Sequence, residues 1–200
     1  GTEVHPSGLG VGLGLDSLNN GVSFSGTFNG NNHKITLAVG EPYGTRDGKT
    51  LAAGDTSDGN GKIYRHGRLG LFNAIGGAAK VSNLTIGGFM KFDNGLSVDA
   101  GSLAASITGT ADEKLTLSGV ACETKITCGD TFGNDANIGG IAGSVSAAAS
   151  VDFGGNSKAQ TAIATGNTLR GDTRIGGAIG YVGDVTSTFN VTSLEVGGSI

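Results

Sequence analysis

The side chains best placed to do chemistry lie between residues 54 and 68. The stretch GDTSDGNGK (54–62) sets Asp55, Asp58 and Asn60 close together between glycines. Calcium takes several oxygen ligands from a tightly turning loop, so these three are the candidate calcium ligands. Their spacing is not that of an EF-hand, which needs oxygens at alternate positions and a later glutamate. The competing reading of the loop is a solvated turn. Just downstream, YRHGR (64–68) gathers Tyr64, Arg65, His66 and Arg68. A cationic cluster beside an aromatic ring could hold an acidic sugar or a phosphate. In extended backbone Tyr64, His66 and Arg68 share one side. The plainer alternative is an exposed strand that enters the core at Leu69.

Catalytic groupings are missing. The chain has no HExxH, no G-x-S-x-G and no DD or DxD pair, and its three histidines have no Ser or Cys partner in a recognisable motif. We therefore expect no catalytic residue and no enzyme, with a polysaccharide lyase or hydrolase as the alternative that Asp55, Asp58, Arg65 and Arg68 would serve. No cofactor is expected beyond calcium on that one loop. Cys122 and Cys128 stand six positions apart in ACETKITCG. On a straight strand they would lie ~20 Å apart. A bend at Thr124–Lys125 would bring them within bonding reach. An even count in an exported chain favours the disulfide, with two buried thiols as the alternative.

The elements that must position these groups are set by glycine. It fills 39 of 200 positions, against only 2 prolines, and no Gly-X-Y period runs through the chain, which excludes collagen. Charged residues make up 15% and the net charge is −4; the basic surplus of a nucleic-acid binder is missing. No apolar run approaches the ~20 residues of a membrane helix. The start, GTEVHPSGLG, lacks the charged and apolar regions of a signal peptide, so an export signal is expected either to have been removed or to lie outside this sequence. The longest glycine-free stretch is 184–196, and most others are ten residues or shorter. Internal glycines cost a helix ~1 kcal/mol each, so long helices are not expected; 110–115 and 144–151 could form helical turns. Alternation at Phe24 and Phe28, at Ile35, Leu37 and Val39, at Leu84 and Ile86, at Leu115 and Leu117, and at Ile126 points to strands buried on one side.

An internal repeat organises these strands. IGGIAGSV (138–145) and IGGAIGYV (175–182) match closely, GSLAASI (101–107) is a looser copy, and LGLFNAI (69–75) is an earlier relative. From Gly70 through Gly101 and Gly139 to Gly176 the steps are 31, 38 and 37 residues, within the range of solenoids and propellers. A propeller lacks its Trp-Asp signature here, and an immunoglobulin-like sandwich lacks its Cys and Trp landmarks. The expected fold is all-β: a right-handed parallel β-helix (β-solenoid) with loop insertions. A β-sandwich or other all-β fold is the alternative. With a prior of roughly 20–25 residues per rung, each repeat would be one long rung or two short ones. We expect one domain over 1–200, a fragment of a longer protein, with a surface loop insertion at 40–68 and a further loop at 88–100.

FSGTFNGNNHKITL (24–37) followed by LGLFNAIGGAAKVSNLTI (69–86) resembles bacterial surface β-helix proteins of the GLUG-repeat type. The matching positions are Phe24, Gly26, Phe28, Gly30, His33 and Ile35, then Gly70, Leu71, Phe72, Ile75, Val81, Asn83, Leu84 and Ile86. The IGGIAG and IGGAIG copies are similar to the core of those repeats and, more distantly, to the GGAI element of chlamydial polymorphic membrane protein passengers. The resemblance covers about half of the chain and implies a secreted or cell-surface, extracellular adhesin or spacer. The expected function is a non-catalytic adhesin or stalk module whose loops, on a rigid solenoid, meet a host-surface glycan or protein. A self-assembling filament or surface-layer subunit, with copies of itself as partner, is the alternative. Neither nucleic acid nor a transmembrane segment is expected.

Overall fold

The structure is a computed structural model. It describes residues 23–39, 42–46, 49–52, 55–57, 63–65, 68–94, 98–131, 136–145, 148–165, 172–183 and 186–200. Every element among them is a strand. Glycine spacing helps to explain this: most glycine-free segments are ten residues or shorter, below the average helix, and the longest, 184–196, is rich in strand-favouring Val and Thr.

The chain passes through three parallel sheets in a fixed order. The first described passage is β1 (Thr27–Val39). Two antiparallel pairs follow, β2 (Pro42–Arg46) with β3 (Lys49–Ala52), and β4 (Asp55–Ser57) with β5 (Ile63–Arg65). A first circuit then runs β6 (Arg68–Leu69), β7 (Phe72–Gly76) and β8 (Lys80–Asn94). The second is β9 (Val98–Gly101), β10 (Ala104–Thr108), β11 (Lys114–Cys122) and β12 (Lys125–Thr131). The third is β13 (Ala136–Gly139), β14 (Ala142–Val145), β15 (Ser150–Gly154), β16 (Ser157–Ala159) and β17 (Ala162–Thr165). The fourth is β18 (Thr173–Gly176), β19 (Ile179–Val182), β20 (Thr188–Val191) and β21 (Leu194–Val196). One sheet is ordered β18-β13-β9-β6 and the next β19-β14-β10-β7, while the remaining parallel strands join one nine-stranded sheet. These parallel sheets rule out the antiparallel sandwich considered above.

Register confirms the repeat as the unit. Gly101 pairs with Gly139, and Gly139 with Gly176; Leu69 pairs with Ala100, which carries the first step of 31. Each repeat is therefore one passage through all three sheets, not two short rungs. Like residues stack on like: Val81, Leu117, Phe153 and Val191 share a row. Ile86, Cys122, Ala159 and Val196 form a second, and Ile75, Ile107, Val145 and Val182 a third. Nearly all members from the first three circuits are completely buried. Phe24 lies against Phe72, ring centroids 4.8 Å apart, and Phe28 meets Phe72 edge-on.

Simple alternation breaks within the long strands of the large sheet. Val81 and Leu84 are both buried although they stand three positions apart, as are Leu117 and Val120. The extra residue is left-handed: Asn83 (φ 51°) and Gly119 (φ 66°), with Gly155 and Asn156 in the third circuit. Asparagine and glycine tolerate this conformation, so a left-handed turn recurs at this place in the first three circuits and resets the inward phase. A second kink falls at Gly88 (φ 92°), where a methyl group would sit 2.0 Å from the Leu37 carbonyl oxygen. The chain does not leave the sheet there. Phe89–Asn94 continues as strand and pairs with β12, so the loop expected over 88–100 is absent among the described residues. The glycines that suggest a loop mark a kink within one strand.

Replacing Gly88 by Ala is expected to cost about 2–3 kcal/mol in urea unfolding. Gly109→Ala, where the nearest atom to a new methyl is 3.6 Å away, should stay within about 0.5 kcal/mol. Equal losses at the two positions would contradict the kink.

Candidate functional site

The antiparallel insertion brings one member of the first expected site beside two of the second in the backbone. Asp55 pairs with Arg65 and Thr56 with Tyr64, so Asp55 lies on the strand facing Tyr64 and Arg65. Opposite-charge residue types thus share one register position. Asp58, Asn60 and His66 lie outside the described residues. Arg68 is exposed on β6, where its backbone pairs with Asp99. No group of three or more His, Cys, Asp or Glu residues able to hold a metal occurs among the described residues.

Both cysteines are buried thiols with no disulfide between them, so the bridge expected from sequence is not formed. Cys122, Thr124, Ile126 and Cys128 are successive buried positions of one circuit. The chain turns between β11 and β12 without folding back, which leaves the thiols as separate members of an inward row. Cys122 pairs in register with Ile86 and Ala159, and Cys128 with Phe92 and Thr165. Burial pushes the Cys122 thiol up to about 12; the Glu123 charge adds to this, and a backbone hydrogen bond with Leu103 opposes it. A thiol held neutral and out of solvent is a poor nucleophile.

The most organised polar feature was not foreseen from the sequence. It runs along the seam between the first two sheets, where Arg68, Asp99, Asn137 and Arg174 occupy one row. Ser106, Ser144 and Tyr181 form the facing row. Asn137 Nδ2 donates to Asp99 Oδ1 at 2.8 Å, and Ser144 Oγ donates to Asp99 Oδ2 at 2.9 Å. Arg174 donates to Asn137 Oδ1 at 3.2 Å and to Asp172 at 2.7 Å, and its guanidinium lies 4.6 Å from the centre of the Tyr181 ring. Asn137 is the adapter: its amide gives a proton toward the carboxylate and accepts one from the guanidinium, joining opposite charges two circuits apart. The signal was available in retrospect. Asp99, Asn137 and Arg174 each stand two residues before the glycine that anchors the repeat. Read singly they look like solvated strand residues; only the stacking turns them into a ladder.

A second buried network crosses the interior. Thr161 Oγ1 donates to the Gly140 carbonyl at 3.0 Å and lies 3.1 Å from Ser102 Oγ. Thr161 has one proton, so Ser102 is the donor in that pair. Both side chains are almost fully buried. On the outer face, ion pairs join circuits: Lys114–Asp152 at 3.3 Å, Lys158–Glu195 at 3.2 Å and Lys34–Glu123 at 3.1 Å. The last spans a whole intervening circuit, and Gly87 makes room for it: a methyl there would come 2.4 Å from the Lys34 side chain.

These groups bind one another more than they present themselves. Asp99 has both oxygens engaged within the chain, and the Ser144 hydroxyl that faces it is buried. The arrangement suits fixing adjacent circuits in register. Compared with family models, curated proteins and solved structures, the chain matches none.

Three outcomes follow from this chemistry. A double-mutant cycle of Asp99→Ala and Asn137→Ala should return a coupling of about 0.5–3 kcal/mol; a value near zero would remove the ladder. Thiol titration under native, non-reducing conditions should leave both cysteines unreacted, and two should react after unfolding. No reactive thiol after non-reducing unfolding would restore the disulfide. Because Cys122 is raised in the folded state, its contribution to stability is complete below the usual thiol range and is lost as pH climbs through it toward 12. Unfolding free energy should therefore fall over that window, and less steeply in Cys122→Ala than in the parent chain.

Proposed function

We propose that the circuits wind as a right-handed parallel β-helix, and that the protein is a non-catalytic surface rod which presents binding loops. The carrying observation is the row-by-row register: glycine on glycine and aliphatic on aliphatic through successive circuits. Parallel strands joined by crossovers take the right-handed path in about 98% of cases, which supports the hand. A stack of this kind makes a stiff body from small residues, each circuit covering the next. The polar ladder and the cross-circuit ion pairs tie neighbouring circuits and leave the chemistry of recognition to segments outside the sheets. The antiparallel insertion containing Tyr64 and Arg65 is the segment best suited to that role, with Asp55 on its facing strand.

The GLUG-type resemblance supports the same reading and adds an extracellular setting, with a host glycan or protein as partner. Calcium at Asp55, Asp58 and Asn60 would rigidify the insertion.

The test is a glycan and host-protein array probed with the whole 200-residue chain, with and without calcium, beside an activity screen on acidic polysaccharides. Expected is binding that Arg65→Ala and Arg68→Ala weaken at least about tenfold, which is 1.4 kcal/mol, without any cleavage. Polysaccharide turnover lost on substitution of Asp55, Asp58, Arg65 or Arg68 would overturn the proposal in favour of an enzyme. Concentration-dependent growth into filaments, with no ligand bound, would overturn it in favour of an assembly subunit.

A further inference from the structure

We draw no further inference here: the strongest candidate, the exposed apolar face of the last circuit formed by Tyr181, Val182, Phe189, Val191, Val196 and Ile200, carries nothing because nothing in the structure shows what covers it.

Discussion

Close contact between equivalent residues of successive circuits is the constraint on which the other features depend. Parallel neighbours lie about 4.8 Å apart, so each inward row must accept apolar side chains again and again. Isoleucine, valine and leucine satisfy this inside. At the corner between the first two sheets even a methyl is too large: at Gly139 it would stand 2.0 Å from the Ala142 carbonyl oxygen, and at Gly176 it would stand 1.9 Å from that of Ile179. At this corner glycine is thus a packing requirement.

Polar groups obey the same rule of repetition. A lone carboxylate on an inner seam would be costly, yet Asp99 is met by Asn137 from the next circuit and Ser144 from the facing row. The interior hydroxyls behave likewise, with Ser102 and Thr161 satisfying each other and Gly140. Such bonds contribute modestly to net stability, but leaving a partner unpaired costs about 1–3 kcal/mol. Their effect is selective: a slip of one residue would strand every one of them. Aliphatic rows supply the bulk of the burial, and the polar bonds choose among registers that aliphatic packing alone would tolerate.

Much of this architecture was legible in the residues. Val and Ile alternating between glycines gave strands, and the copies at 101–107, 138–145 and 175–182 marked the positions that pair. What could not be read was where alternation fails. Asn83 looks like a turn residue, and nothing local says that it sits inside a continuing strand with a left-handed backbone. Gly87-Gly88 looks like a loop for the same reason. The cysteines looked bonded because an even count in an exported chain favours a bridge, but the chain runs on from β11 to β12 without the fold-back that would close it. The ladder through Asp99, Asn137 and Arg174 was invisible because its members lie 37 to 38 residues apart and differ in type. Of the expected sites, Asp55, Tyr64, Arg65 and Arg68 are placed by the backbone, and their chemistry rests on ligand experiments.

In-register stacking can be tested by covalent trapping. Thr116 on β11 pairs with Asp152 on β15, and Asp152 with Asn190 on β20. Cysteines introduced at 116 and 152 would have Cα atoms one strand spacing apart, within the 4.4–6.8 Å of a disulfide; cysteines at 116 and 190 would be two spacings apart and out of reach. Mild oxidation of Thr116→Cys/Asp152→Cys should close a bridge rapidly and raise the resistance of the chain to unfolding, while Thr116→Cys/Asn190→Cys should stay open. A bridge that forms equally in both, or only in the second, would contradict the stack.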